Sequence, residues 1–237
     1  EYGSRMGVTR RECDEFAAQS HARARAAYRQ SHVNGGDILR GMFALDATDL
    51  RGRDVHLARD ECVRQTDVET LAKLPSFTPH GLVTAGNASE ISDAAAAVIL
   101  VDRSEAERIG CPFRYAIAGY GVIGVDPRVM GRGPVPAIQQ ALGKAGIAQE
   151  DVGLWEINEA FAAQYLGVEK ELVLNRETVN VNGGAVAIGH PLAATGVRMT
   201  VDLMYEMQRR DVRYGCASAC IGGGQGVALL IRDLEKT

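Results

Sequence analysis

The chain has 237 residues, 46% of them hydrophobic and 24% charged, which is enough for one large or two small packed cores. Its net charge of -4 leaves no whole-chain basic field and argues against a general nucleic-acid partner. No apolar run is long enough to span a membrane, and the five cysteines form no CxxC pair, so neither zinc nor a disulfide framework is favoured and a reduced, cytoplasmic setting is expected.

The opening "EYGSRMG" reads as the last turns of a helix. A longer helix follows over "TRRECDEFAAQSHARARAAYRQ", with Thr9 and Glu12 forming a capping box and the arginines on a solvated face. "VNGGDILRGMFALDATDLRGRDVHL" reads as loops and short strands, and "TDVETLAKL" as a short helix. A shift near Thr84 separates this irregular part from a regular second half.

In that half "AAAAVILVD" is a short apolar run expected as a buried strand. "SEAERIG" is a helix with a Ser104–Glu107 capping box and Gly110 closing it. "RYAIAGYGVIG" is strand-like, and "PVPAIQQALGKAG" is a helix with Pro134 at its start and Gly146 past its end. "VGLWEI" and "TVNVNGG" read as strands, "NEAFAAQYLGVEKEL" and "TGVRMTVDLMYEMQRR" as helices, and "YGCASAC" with "GVALLIRDL" as a closing β-pair. The alternation gives an α/β class with a layered sheet.

Four clusters carry candidate chemistry. Asn158 in "NEAFA" either caps the following helix or points an amide into the crevice at a strand end. His190, between Gly189 and Pro191, is either a structural histidine or a side chain aimed by an unusual backbone path. In "ACIGGGQG" the glycines make a tight turn or free backbone N–H groups near Gly222 for a ligand oxygen, with Cys220 beside them as nucleophile or base. "GLVTAGNASEISDAAAA" is either a surface loop or a small-residue strip along which a thin ligand lies.

Taken in order, "TAGNAS", "VMGRGPVPA", "NEAFAAQ", "VNVNGGAVAIGHP" and "CIGGGQG" make the chain resemble the thiolases, the acyl-CoA C-acyltransferases. The resemblance runs from about Glu61 to the end and more weakly over the first sixty residues. It implies a layered αβαβα fold, of which residues 1–88 would be the loop domain, 89–114 the remainder of the N-terminal domain and 115–237 the C-terminal domain.

The resemblance also implies roles. Cys220 would be the acid/base thiol acting on the second acyl-CoA, in surroundings that lower its pKa or share its proton. His190 would activate the acyl-accepting cysteine, Asn158 would hold a water of the first oxyanion pocket, and the Gly222 N–H would serve the second. Arg64 would lie near the nucleotide, Ala85, Gly86 and Ser89 along the pantetheine arm, and Phe161 and Met130 at the acyl end. Coenzyme A enters as substrate, with no permanently bound cofactor.

The family's glycine-flanked nucleophile has no counterpart at Cys13, Cys62, Cys111 or Cys216. A further N-terminal segment or partner chain carrying it is therefore expected, in a dimer or tetramer, with "AAAAVILVD" short of sheet neighbours without it. Ala193, Ala94 and Glu90 stand where the family pattern has glycine. The alternative is a non-catalytic thiolase-like subunit that holds acyl-CoA without condensing it; a ketoacyl-synthase type suits "NEAFA" and the terminal "CIGGGQG" less well.

Overall fold

A computed structural model describes residues 1–34 and 41–236. The loop expected across 35–40 lies outside the described residues. The chain opens with a short helix, α1 (Tyr2–Arg5), and a long one, α2 (Arg10–Asn34). The Thr9–Glu12 capping box forms in both directions: the Thr9 N–H donates to Glu12 at 2.6 Å and the Glu12 N–H to Thr9 Oγ1 at 3.2 Å. An antiparallel pair, β1 (Leu45–Thr48) and β2 (Asp54–Leu57), and a one-turn helix, α3 (Val68–Leu71), follow.

The second half builds the sheet. Helix α4 (Arg103–Ile109) leads into β3 (Tyr115–Gly124), α5 (Pro134–Ala145) and β4 (Leu154–Ile157). Then come α6 (Ala162–Leu172), α7 (Ala185–Ile188), α8 (Thr195–Arg210), β5 (Tyr214–Ile221) and β6 (Gln225–Asp233). The strand order is β3-β6-β5-β4, with β4 and β5 parallel and the other two pairings antiparallel. Alternation along the strands sorts the core. Trp155, Ile157, Cys216 and Leu230 face α5 and α6, while Leu154, Ala217 and Ile231 face Met199, Leu203 and Met207 of α8. Helix α6 is buried on a second side as well, where Phe16 of α2 stacks on Tyr165 with ring centroids 4.2 Å apart.

Helix α5 lies on β3 with nothing between the backbones. A Cβ on Gly121 would come within 1.9 Å of the Ala137 carbonyl oxygen, and one on Gly226 within 2.0 Å of the Gly133 carbonyl oxygen.

Three expectations need correction. "AAAAVILVD" is not a strand: residues 90–102 form no regular element and Ile99 is 90% exposed, because no strand lies alongside among the described residues. "TVNVNGG" makes only a 3-10 turn (Arg176–Thr178) and a single bridge from Val179 to Trp155. The left-handed backbone of Asn180 (φ 45°) and Gly183 (φ 82°) breaks the extended run. The cap of α4 is Asp102, which accepts from the Ser104 N–H at 2.8 Å, rather than a Ser104–Glu107 box. Gly110 and Gly146 do close their helices, at φ 66° and 65°.

Candidate active site

Strand β4 is buried along its whole length and delivers Asn158 at its carboxyl end. The Asn158 N–H bonds the Ser218 carbonyl at 2.9 Å, continuing the β4–β5 ladder one step beyond Ile157–Ser218. Asn158 does not cap α6. That helix starts at Ala162 with Phe161 before it and no side-chain cap. Instead the Asn158 Nδ2 lies 3.2 Å from His190 Nε2, and its Oδ1 is buried without a protein partner. A buried carboxamide oxygen with no partner is suited to a water or a ligand donor.

His190 is aimed by the residues around it. Gly189 takes φ 90°, a conformation open to glycine, where a Cβ would meet Ser92 Oγ at 2.3 Å. The His190 N–H donates to the Glu90 carbonyl at 2.9 Å. His190 Nδ1 is 2.7 Å from Thr195 Oγ1, whose hydroxyl donates to the Pro191 carbonyl at 3.0 Å. The Thr195 hydrogen is thus committed, so Nδ1–H donates to Thr195 and Nε2 keeps its lone pair toward the Asn158 amide. Burial, with the Arg198 charge adding to it, pushes the His190 pKa below its usual value and favours that neutral ring.

Cys220 stands on β5, the strand next to β4, two residues past Ser218 and opposite Gly226. Asn158 and Cys220 therefore leave adjacent parallel strands at the same end, where open α/β sheets place ligands. Cys220 is 7% exposed, and burial pushes its thiol up to about 11. That direction is opposite to the first of the two expectations, a lowered pKa, and does not bear on the second, a shared proton. Burial dominates at the thiol, and the neutral His190 imidazole supplies no charge to offset it.

The turn after Cys220 places its left-handed backbone at Gly223 (φ 89°) and Gly224 (φ 94°) rather than at Gly222. Gly222 is exposed, with open space where a side chain would stand. The other cysteines divide plainly: Cys13 and Cys216 are in the core, Cys111 is partly exposed, and the Cys62 sulfur is 3.6 Å from where a Gly189 Cβ would lie.

The segment 84–90 straps the site. Ala88 bridges Phe161, the Ser89 N–H and hydroxyl both donate to the Ala160 carbonyl at 3.1 Å, and Glu90 holds His190. Ser89, Phe161, Asn158 and His190 thus gather in one place. Ala85 is exposed, whereas Gly86 is buried, and a Cβ there would press on the side-chain methyls of Leu71 and Leu74 at 2.5 and 2.6 Å. Arg64 is joined to the same strap by an ion pair with Glu90. Met130 lies in the turn Pro127–Arg132, three residues before the Gly133 that rests on Gly226.

Sequence reading missed Thr195, which fixes the histidine tautomer, and Asn87, which ties the strap to Asp14 of α2 at 2.9 Å. The threonine five residues after His190 was the available signal. A separate cavity of about 740 Å3 between α2 and residues 56–65, lined by Arg25, Arg29 and Arg59, contains none of Asn158, His190 and Cys220. Among the described residues no cluster of side chains suits a metal ion, and no helix is long and apolar enough to cross a membrane.

Comparison with known proteins bears on the chain as a whole. A model described as Thiolase, N-terminal domain matches residues 1–104, and one described as Thiolase, C-terminal domain matches residues 112–233. An acetyl-CoA acetyltransferase of Pseudomonas aeruginosa is 48% identical over 97% of this chain and 58% of its own length. The human mitochondrial 3-ketoacyl-CoA thiolase is 44% identical over 95% of this chain and 56% of its own length. The crystal structure of the Bacillus anthracis acetyl-CoA acetyltransferase superposes with a TM-score of 0.90 at 44% identity, covering 98% of this chain and 58% of that one. The human enzyme solved in complex with CoA gives 0.85 at 40% identity, covering 98% of this chain and 57% of that one. The chain thus spans less than two thirds of these relatives.

Proposed function

The chain belongs to the thiolase family, and on that premise we propose that it carries the acid/base half of an acyl-CoA C-acyltransferase site. The reaction is Claisen condensation of two acyl-CoA molecules or the reverse thiolytic cleavage of a 3-ketoacyl-CoA. The acyl-accepting cysteine comes from a polypeptide segment beyond these 237 residues, in the same or a partner chain, within a dimer or tetramer. The reading includes a cytoplasmic setting, in which the five free thiols stay reduced.

The observation that carries the reading is the Asn158–His190 contact of 3.2 Å at the end of β4, beside the strand that bears Cys220. The neutral imidazole has one Nε2 lone pair, and once the Asn158 amide yields it, the ring takes the proton of the acyl-accepting thiol as that sulfur attacks the first thioester. The displaced coenzyme A thiolate then takes up that proton. The buried carboxamide of Asn158 holds a water that donates to the thioester oxygen as negative charge builds.

In condensation the ionised fraction of Cys220, small at pH 7 for a thiol near 11, removes the α-proton of the second acyl-CoA; the resulting enolate attacks the acyl-enzyme and expels the acyl-accepting thiolate, which takes that proton back from Cys220. In cleavage the same group runs in reverse and protonates the departing enolate. A thiol held near 11 is neutral at pH 7, the state that gives a proton. Gly222 is exposed at the turn after Cys220, and its N–H donates to the enolate oxygen. Phosphates of the coenzyme approach Arg64 in competition with Glu90.

The experiment is thiolytic cleavage of acetoacetyl-CoA by the purified chain, alone and with any polypeptide that co-purifies, identified by mass spectrometry. Cleavage that disappears in H190A and C220S supports the reading. Coenzyme A binding with no turnover in either preparation sinks it and leaves an acyl-CoA-holding subunit.

A further inference from the structure

Asn158 and His190 meet through side chains from separate segments, so the contact depends on what holds those segments together. Glu159 lies next to Asn158 and is 1% exposed. One of its oxygens accepts from Ser20 Oγ of α2 at 2.8 Å and from the Val186 N–H of α7 at 3.1 Å. The other accepts from Asn180 Nδ2 at 2.9 Å. Ser20 Oγ in turn accepts from the Gly184 N–H at 3.0 Å. Asn180 brackets Ile157, taking its N–H and donating to its carbonyl, both at 2.8 Å.

The cradle leaves no spare room. A Cβ on Gly184 would stand 2.3 Å from the Glu159 carboxyl carbon. Each neighbour presents a donor, so the position needs a group that only accepts. Burial raises the Glu159 pKa, and the Asn180, Ser20 and Val186 donors oppose it.

We propose that Glu159 is a positioning residue: with Asn180 it locks the end of β4 to the start of α7, and so sets the Asn158–His190 contact. Asn158 is held on both sides, through Ile157 and through Glu159 itself, by the same network that grips α7. His190 follows α7 by two residues. The proposal rests on the thiolase reading only for the chemical meaning of that contact.

Glu159→Gln keeps the size and changes one oxygen into a donor. Facing Asn180, that donor opposes another. Turning Asn180 over would strip Ile157 N–H of its acceptor. Facing the other way, it opposes the Val186 N–H.

The test reads the imidazole by ¹⁵N NMR in the chain itself, without acyl-CoA. The wild type shows His190 as the Nδ1–H tautomer with a slowly exchanging ring proton. E159Q loses that slow signal. If E159Q does not fold, S20A removes one donor, and faster exchange at His190 is expected. An unchanged His190 signal in E159Q or S20A, whatever happens to stability, overturns the proposal. Acetoacetyl-CoA cleavage is scored separately, so the acyl-transfer reading and the positioning role fail independently.

Discussion

Residues 214–221 and 94–101 are both short runs of small and apolar side chains, and they meet different fates. The first, β5, is paired by β4 on one side and β6 on the other, and Cys216 and Ala217 are buried on opposite faces. The second takes no regular structure, with Leu100 71% and Val101 40% exposed. Composition is therefore a weak guide to a strand. What decides is whether neighbouring backbone and a covering layer exist to accept it, since strand preference largely measures packing context.

Four measurements break or sharpen this contrast. The largest effect belongs to the paired region. Gly121→Ala drives a methyl into the Ala137 carbonyl, and a loss of about 3 kcal/mol is expected in urea unfolding, at the upper end for an overpacked site. A loss under about 1 kcal/mol would mean that α5 is not tied to the sheet.

The second concerns α2. Burial, then the charges of Arg64 and Arg25, lower His21 to about 4, and its Nδ1 accepts the Arg64 N–H at 3.2 Å. The folded state holds the neutral ring and the unfolded chain binds the proton near 6.5. This contribution is therefore complete above about pH 6.5 and is lost as the pH falls toward 4. The shift corresponds to roughly 3 kcal/mol, and H21Q should flatten the stability curve over that window.

The third probes the seam where β3 begins. Arg114 donates to buried Asp233 at 2.7 and 3.0 Å. D233N should cost about 2 kcal/mol by leaving the guanidinium poorly matched. The smallest effect belongs to the unpaired run. Ile99→Ser should change unfolding free energy by less than about 0.5 kcal/mol. It should also reduce concentration-dependent light scattering, by breaking an exposed apolar stretch. A large loss of stability in I99S would show the run to be packed.

Much of the sheet was legible because its signals are local. Pro134 and Gly146 bracket α5, and the alternation in "YGCASAC" and "GVALLIRDL" yields a paired hairpin. Asn158, His190 and Cys220 were picked by motif, and two of them touch. What stayed hidden depends on contacts far apart in the chain. The elevated Cys220 thiol follows from burial that no window of sequence reports. Thr195 and Glu159 act through geometry alone, and Asn180 looked like the middle of a strand until its backbone turned left-handed.

The bare contact of Gly133 on Gly226 fixes more than spacing. Slipping β6 by one residue would push Gln225 or Val227 into the space beneath the start of α5, where a single carbon already collides. The hairpin therefore has one permitted alignment, and the reach of Cys220 is set by an indexing stop that lies outside the thiol's own neighbourhood.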